Sequence, residues 1–402
     1  MRSTTRLLSS VTDRPIDLNE FAGSEGFLFV KDGVGVAGRG VAIRARRDQV
    51  EKVLREITDD NSSAIVDSGP VAMGCIPFID SDPHEFVIPR IVIGKTSTGE
   101  QWISQVGAED LDLATAIMPT DSKPKTSAAS FAVNPGVPVA QYLEAVRRTA
   151  HAVREGRLAK AVIARDIFVS ADQPFDIGAV LLRLKASFGS SYRYSIDGLI
   201  GASPELLVAV SGNQVSSHPL AGTAPRSGNP VTDAKVAEEL LSSSKNQIEH
   251  RIVIDMVRDT LLPWCSFLDW QAEPSIVPVA NVQHLGTEIS GQLSEPRPGV
   301  LELAYALSPT PALGGAPREA ALQQIAAVEG MSRGRYGGAV GYFNSRGDGT
   351  FAVAIRCAEF DSTRKTARLF AGGGIVADSE PESELAETQA KFQAMLAALI
   401  RP

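Results

Sequence analysis

Apolar and polar positions along the chain recur with two different periods, and each period predicts one kind of element. Short apolar runs bounded by turn residues predict strands over 27–30, 40–44, 64–67, 71–78, 86–94, 158–165, 192–196, 201–208, 337–343, 351–357 and 367–371. Apolar residues at helical spacing predict helices over 47–57, 139–156, 175–188, 233–262, 317–329 and from about Pro381 onward. Residues 118–138 are rich in Pro, Ser, Thr and Lys, which predicts a surface connection.

The glycines of segment 33–38 match the GxGxxG pattern of dinucleotide-binding loops, but their context does not fit. That pattern requires a following helix whose N-terminus receives a pyrophosphate. Here an Asp32-Gly33 turn separates two predicted strands, and the second strand follows the glycines. The sequence therefore argues against a dinucleotide site in this segment.

Length, composition and charge narrow the class of protein. The 402 residues could form up to three domains, and the 44% hydrophobic and 21% charged content is typical of a globular protein with a sizeable core. No apolar run is long enough to span a membrane, and the first residues lack a signal-peptide core. The three cysteines are far apart, which favours a reduced, cytoplasmic protein. A net charge of −8 argues against nucleic acid as the main partner.

Segment 371–393 combines glycines, carboxylates and a lysine in a pattern that suggests an anion site with a metal. Three glycines at 372–374 predict a turn whose backbone approaches a ligand closely. Glu384, Glu387 and Lys391 follow at helical spacing and share one helix face. The alternative is an acidic, solvated helix that follows a flexible turn.

Three further charged residues lie within or beside apolar strands, where charge is costly unless it has a function or a partner. Lys160 lies in an apolar run, and burial favours the neutral amine that a general base needs; the alternative is an exposed strand end. Glu205 follows Pro204 at the head of a strand, a position suited to a carboxyl group with a raised pKa. Arg356 lies in a predicted strand and needs an anion, which is either an internal carboxylate or a substrate carboxylate.

Residues 233–262, predicted as one helix or a helix pair, carry Glu249 and His250 beside an apolar stripe. Lys245 precedes Glu249 by four residues, so a surface ion pair between them is the simplest interpretation. His250 could be a metal ligand, but no second histidine lies within helical reach, which argues against zinc.

Nine segments in order resemble the chorismate-utilising enzymes, the family that serves menaquinone, siderophore, salicylate, tryptophan and folate synthesis. The matching segments are AKAVIAR (159–165), GASPELL (201–207), HPLAGT (218–223), Glu249-His250, VQHLGT (282–287), SPTPALGG (308–315), YGGAVGYF (336–343), AIRC (354–357) and AGGGIVADSEPESELAET (371–388). The resemblance implies one α/β (α+β) domain over 1–402, with central antiparallel sheets packed as a sandwich and helices outside. It also implies a structural N-terminal part (1–138) and a catalytic part (139–402).

Within that family, three positions distinguish the chemistries. Members that use water as nucleophile carry lysine at the position of Lys160, and the member that forms a covalent lysine adduct carries that lysine at the position of Ala221. Isochorismate synthases resemble this chain at Ala312-Leu313, where salicylate synthases carry threonine in place of the alanine. The resemblance thus favours an isochorismate synthase. Salicylate synthase and a non-catalytic binding subunit are the alternatives.

The resemblance also implies roles for individual residues. Lys160 would be the base that activates water, and Glu205 the acid that protonates the departing hydroxyl. Glu249 and Glu387 would bind Mg²⁺, with Glu384 in support. The implied chorismate-binding residues are Gly222, Thr223, His284, Ala312, Leu313, Tyr336, Arg356, Gly372, Gly374 and Lys391. Asn246 stands where related enzymes often have an acidic residue, which implies a less charged metal environment. These enzymes look like monomers, and the sequence leaves the pathway that consumes isochorismate open.

Overall fold

The computed structural model describes residues 1–79, 81–107, 113–118, 130–279 and 282–400. Its strands are β1 (Arg2–Leu7), β2 (Phe27–Lys31), β3 (Val34–Arg46), β4 (Thr58–Asn61), β5 (Val71–Ile76), β6 (Glu85–Lys95), β7 (Gln101–Val106), β8 (Phe131–Pro135), β9 (Lys160–Ala171), β10 (Tyr192–Ile196), β11 (Leu199–Ser203), β12 (Leu206–Ser211), β13 (Gln214–His218), β14 (Leu220–Pro225), β15 (Cys265–Trp270), β16 (Ser275–Val279), β17 (Val282–Gly286), β18 (Ile289–Leu293), β19 (Gly315–Ala316), β20 (Ala339–Asn344), β21 (Gly349–Val353), β22 (Cys357–Phe360) and β23 (Thr366–Ile375).

The α-helices of the described residues are α1 (Leu18–Ala22), α2 (Arg47–Arg55), α3 (Leu113–Ala116), α4 (Val139–Arg154), α5 (Ile177–Ser187), α6 (Pro230–Ser242), α7 (Ser244–Leu261), α8 (Val300–Leu307), α9 (Arg318–Val328) and α10 (Pro381–Ile400). In this part of the chain no helix is both long and apolar enough to cross a bilayer.

Strand β6 is the point at which the large sheet divides into two arms. One edge of β6 pairs with β3 along its length, and the other edge pairs with β7 and, at Met73↔Val87, with β5. The first arm continues through β3, β2, β10, β11, β22, β23 and β9. The second arm continues through β5, β20, β21, β12, β13, β18 and β15. Each of these pairings is antiparallel.

The main core lies between the two arms, and helices cover the outer faces. Phe29 and Tyr194 of the first arm share one buried cluster with Val208 and Phe343 of the second arm. A second buried cluster packs α1, α5 and α10 onto the outer face of the first arm, and a third packs α4 and α9 against β9. The predicted sandwich of antiparallel sheets with outer helices is therefore confirmed.

A separate three-stranded sheet, in the order β14–β17–β16, lies under α6 and α7. Asn229 caps α6 by accepting hydrogen bonds from Val231 N and Thr232 N, and the Ser243 hydroxyl accepts from Asn246 N at the start of α7. Of the two alternatives for 233–262, one helix or a helix pair, the pair is therefore the correct one, and the Ser243 cap fixes the start of α7 and with it the position of Glu249.

One predicted strand is wrong and another is shorter than predicted, in both cases for local reasons. The run 64–67 is a turn, because Ser68 Oγ donates to Ile65 O at 2.7 Å and Ser63 Oγ donates to Asn61 Oδ1 at 2.7 Å. These short side chains offer the backbone an alternative to a ladder. The run 351–357 breaks after Val353, and Arg356 lies in a connection with φ +52° rather than in a strand.

Strands of the N-terminal third pair with strands from later in the chain. Strand β2 pairs with β10, and β5 pairs with β20 over six residue pairs, Ala339↔Ile76 to Asn344↔Val71. Within the predicted surface connection, Phe131–Pro135 forms β8, whose residues are exposed, and 119–129 lie outside the described residues. The division into a structural part (1–138) and a catalytic part (139–402) stays a prediction.

Candidate active site

The predicted site residues converge on one cavity of about 260 Å³. Every one of them except Lys160 lines it: Glu205, Gly222, Thr223, Glu249, His284, Ala312, Leu313, Tyr336, Arg356, Gly372, Gly374, Glu384, Glu387 and Lys391. Lys160 is 1% exposed and reaches the cavity wall through Glu249. All of the lining residues fall between Val162 and Lys391.

Two of the three glycines, Gly372 and Gly374, line one wall of the cavity, but they do so inside a strand. The predicted turn is wrong, because Gly372 and Gly374 lie in β23 and pair with Ala164 and Val162 of β9. Their missing side chains leave the room that other groups occupy: a Cβ at Gly374 would lie 2.6 Å from Lys160 Cε and 2.9 Å from Glu249 Oε1. The glycines are needed for close approach and not for an unusual backbone conformation.

Lys160 and Glu249 form a buried ion pair. Lys160 is the first residue of β9, and its Nζ donates to Glu249 Oε1 at 2.7 Å. The predicted surface pair between Lys245 and Glu249 is therefore wrong, since Glu249 turns inward toward β9. The pairing brings the predicted base into direct contact with a predicted metal ligand.

Glu205 provides a buried carboxyl group beside the cavity. It is 2% exposed and lies between β11 and β12, where Pro204 interrupts the ladder. Burial raises the pKa of Glu205 to about 8, although the backbone N–H of Leu220 and the charge of Lys160 oppose the shift. The expected raised pKa is borne out, so at neutral pH this group is a carboxylic acid that can donate a proton.

His284 and Arg356 occupy the opposite end of the lining. The His284 Nδ1–H donates to Gly222 O at 3.2 Å and lies 3.1 Å from Thr223 Oγ1, while Nε2 faces Arg356 Nη2 at 3.5 Å. Burial, followed by the charges of Arg356 and Lys391, lowers the pKa of His284 to about 3. The imidazole is therefore neutral and holds the guanidinium in place without competing for anions.

Arg356 was predicted to need an anionic partner. In the described part of the chain, no carboxylate lies within ion-pair distance of its guanidinium. Tyr336, which also lines the cavity, stacks on Phe370 with ring centroids 5.1 Å apart and planes at 7°. Of the two interpretations of Arg356, the one in which a ligand supplies the carboxylate fits this geometry better.

Helix α10 contributes two carboxylates and an ammonium. Lys391 Nζ lies 2.5 Å from Glu387 Oε1 and donates to Gly372 O at 2.7 Å. Burial and then the negative charge of Glu387 raise the pKa of Glu384 to about 7. The pKa of Glu387 is lowered: burial raises it, but the charge and hydrogen bond of Lys391 outweigh the effect of burial.

The carboxylates fit a metal in chemistry but are not gathered into a preformed cluster. Among the residues that the structure describes, no three His, Cys, Asp or Glu side chains are placed to hold one ion. Glu249 is bound to Lys160 and Glu387 to Lys391. Carboxylate oxygens are the ligands that Mg²⁺ prefers, and repulsion between Glu384 and Glu387 would be relieved by a cation.

The sequence-based prediction missed several lining residues. Phe370, Ile355 and Val162 are apolar strand or loop residues that nothing in the sequence distinguishes from core. Lys245 also lines the cavity, and its charge acts on both Glu384 and Glu387. Its position one turn before Glu249, the implied metal ligand, is the sequence signal that could have identified it.

Comparison with known proteins shows the family to which this chain belongs. A family model described as "Chorismate binding enzyme" matches residues 40–400. A protein named putative isochorismate synthase MenF from Mycobacterium tuberculosis is 40% identical over 345 residues, covering 83% of this chain and 87% of that protein. Isochorismate synthase DhbC of Bacillus subtilis is 35% identical over 343 residues, covering 83% and 81%.

Solved structures share the fold. The putative 2,3-dihydroxybenzoate-specific isochorismate synthase DhbC of Bacillus anthracis superposes with a TM-score of 0.79 at 33% identity, covering 95% of this chain and 98% of that one. The menaquinone-specific isochorismate synthase MenF of Escherichia coli gives a TM-score of 0.82 at 23% identity, covering 99% and 94%. The second likeness concerns the fold alone.

Proposed function

Because this chain belongs to the chorismate-binding enzyme family, we infer that it is an isochorismate synthase, which converts chorismate into isochorismate. One observation carries the inference at the site: the buried neutral carboxyl group of Glu205 lines a cavity that also contains three cationic side chains, and the buried Lys160 reaches the wall of the same cavity through Glu249. Isomerisation by water requires such a base and acid, and a dianionic substrate requires the cations.

The substrate would be held through its two carboxylates. We propose that Arg356 and Tyr336 bind the enolpyruvyl carboxylate, since Arg356 has no internal carboxylate among the described residues. The ring carboxylate would lie against the β23 glycines, with Lys391 beside them. His284 keeps Arg356 in place, and Gly222 and Thr223 hold the His284 ring.

The reaction would exchange one hydroxyl for another. In the proposal, Lys160 acts in its neutral amine form: it accepts a proton from a water molecule, and the ammonium that results is the one that pairs with Glu249 in the structure. The water oxygen bonds to C2, the two conjugated ring double bonds each shift by one position, and the C4–oxygen bond breaks. Glu205 gives its proton to the departing hydroxyl, so one water enters and one leaves. General acid and base catalysis of this kind contributes about 10²–10⁴-fold each.

We propose Mg²⁺ as the cofactor, bound by Glu249 and Glu387 with Glu384 in support. The three side chains line one cavity, and their oxygen ligands suit a hard cation. The bound ion would supply positive charge next to the ring carboxylate. The relatives include a vibriobactin-specific isochorismate synthase and a salicylate biosynthesis isochorismate synthase, so we propose a siderophore or salicylate pathway as the destination of the product, with menaquinone synthesis as the alternative. A cytoplasmic monomer without a nucleic-acid or membrane partner stays a prediction.

Incubation of the purified protein with chorismate and Mg²⁺, followed by chromatography of the products, tests the function. We expect isochorismate without pyruvate, and we expect Lys160→Ala to lower kcat by about 10²–10⁴-fold while chorismate still binds. Release of pyruvate with fluorescent salicylate at neutral pH would identify a salicylate synthase. No turnover at saturating Mg²⁺ would identify a non-catalytic subunit, and a near-normal rate of Lys160→Ala would remove Lys160 as base.

A further inference from the structure

The buried ion pair between Glu329 and Arg333 lies directly behind the cavity and bonds to two of its walls. Both residues are 3% exposed, and Arg333 Nε donates to Glu329 Oε2 at 2.9 Å. A buried ion pair gives little net stability compared with apolar residues of similar size, because two charges lose their hydration. Stability alone therefore does not account for this pair.

The pair fills a gap in the sheet beside the proposed base. Along one edge of β9, strand β19 pairs with Lys160 and Ala161, and β8 pairs with the residues from Ile167 onward. Between these partners, Val162 O accepts from Arg333 Nη2 at 2.7 Å, and Ala164 N donates to Glu329 Oε1 at 2.8 Å. The ion pair thus takes the place of a strand and satisfies backbone groups that are buried at this edge.

The same guanidinium also holds the loop that carries Ala312 and Leu313. Arg333 Nη1 donates to Leu313 O at 2.7 Å, so one side chain joins the loop to β9. Its Cζ lies 4.2 Å from the centre of the Phe78 ring, which fixes its plane. Leu313 and Val162 both line the cavity, and Val162 shares a face of β9 with Lys160 two residues earlier.

We propose that Glu329 and Arg333 are positioning residues that set the distance between the Leu313 wall and the strand that bears Lys160. The proposal rests on the proposed isochorismate synthase function. The cavity must hold the ring and one water against the base, and a displacement of about 1 Å can cost about 10²-fold in rate. Neither residue of the pair lines the cavity, so the pair acts through Val162 and Leu313.

The chain offers a matched control two residues away. Arg335 Nε donates to Glu359 Oε1 at 2.9 Å, and its Nη1 donates to the carbonyls of Ile196 and Asp197 at 3.2 and 3.0 Å. Arg335 therefore makes the same kinds of bond as Arg333, one carboxylate and two carbonyls, without contacting a cavity wall. Arg333→Lys and Arg335→Lys each keep the charge and remove the fork of donors.

Steady-state kinetics with chorismate and Mg²⁺, together with amide hydrogen exchange, tests the proposal on the full chain. We expect Arg333→Lys to lower kcat by about 10–100-fold with KM within about threefold, and Arg335→Lys to stay within about threefold for both. Exchange should become faster in 161–164 and 308–316 for Arg333→Lys alone. Glu329→Gln should likewise lower kcat and make exchange faster in 161–164 and 308–316. If Arg333→Lys does not fold, the Glu329→Gln variant provides the test.

Equal kcat values for the Arg333 and Arg335 variants would overturn the proposal, as would a fall in kcat without faster exchange in 161–164 and 308–316. A wild-type protein that forms no isochorismate would instead refute the proposed function. The exchange comparison between the two variants still decides in that case whether the ion pair holds the Leu313 loop against β9.

Discussion

At the scale of single residues, burial changes what an ordinary side chain can do. Glu205 and Lys160 are both almost fully buried, yet one is held as a neutral acid and the other is paired with Glu249. The sequence predicted the first environment because Pro204 and an apolar strand flank Glu205. It could not predict the second, because Lys160 and Glu249 are 89 positions apart and only the fold joins them.

The raised pKa of Glu205 predicts a pH-dependent cost to stability. Its value of about 8 lies above the ordinary 4.5, so the folded protein keeps a proton that the unfolded chain releases. The stability from this group is complete below pH 4.5 and is lost as the pH rises through 8. Glutamine does not titrate, so the variant Glu205→Gln should not show this fall in the free energy of unfolding as the pH rises.

We therefore expect the Tm of Glu205→Gln, relative to wild type, to rise by about 2 °C or more between pH 5 and pH 8.5. Calorimetry at both pH values measures the difference, and kcat should fall by about 10²–10⁴-fold because glutamine donates no proton. Glu302→Gln on the exposed side of α8 is the control and should show no such change. A Tm difference that does not depend on pH would contradict the raised pKa.

A second residue-scale prediction concerns Glu387. The substitution Glu387→Gln should raise the Mg²⁺ concentration for half-maximal rate by about tenfold or more, because a proposed ligand loses its charge. The Tm should change little, since Glu387 is partly exposed and its ion-pair partner Lys391 also bonds to Gly372. Metal titration of the initial rate measures the effect.

Glu382→Gln, on the exposed face of the same helix, is the matched control for Glu387→Gln and should leave the Mg²⁺ requirement unchanged. If Glu387→Gln has the same Mg²⁺ requirement as wild type, Glu387 is not part of a metal site.

At the scale of elements, helix α7 contributes polar and charged side chains to the cavity, which its apolar stripe does not indicate. Ser243 caps its first turn, and this start places Lys245, Asn246 and Glu249 on the cavity side. Among the described residues, Lys245 makes no ion pair, while Glu249 is paired with Lys160. The cavity thus has an additional cation in a position to attract a dianion.

We expect Lys245→Met to raise KM for chorismate by about tenfold with a smaller change in kcat, because the lost charge acts on binding more than on proton transfer. Lys235→Met on α6 is the control, since Lys235 is exposed and pairs with Glu239 at 3.9 Å. Steady-state kinetics at two ionic strengths measures both. An unchanged KM for Lys245→Met would show that this lysine does not contact the substrate.

Elements were predictable where local pattern and tertiary structure agree. Helix α4 and the β20–β21 hairpin follow directly from spacing and turn residues. The prediction failed at 64–67, where serine side chains bond to the local backbone, and at 372–374, where glycines that suggest a turn lie in β23. In the second case the reason is distant, because Lys160 and Glu384 occupy the space that side chains would fill.

At the scale of the whole molecule, the sandwich could be predicted only through the resemblance. Periodicity identifies strands but does not specify their partners, and β6 pairs with β3, β5 and β7 at two different edges. The pairing of β2 with β10 and of β5 with β20 joins segments that lie more than a hundred residues apart. The arrangement of the site was likewise predicted from the family motifs, and neither Lys245 nor the Glu329–Arg333 pair was identified.

Helix α10 supplies Glu384, Glu387 and Lys391 to a cavity whose other lining residues lie between Val162 and Gly374. A ribosome that has not yet translated this helix therefore carries a polypeptide without the proposed metal ligand Glu387 and without one wall. We expect that neither such a nascent chain nor a product truncated before residue 384 converts chorismate. The proposed site is complete only after α10 has been translated.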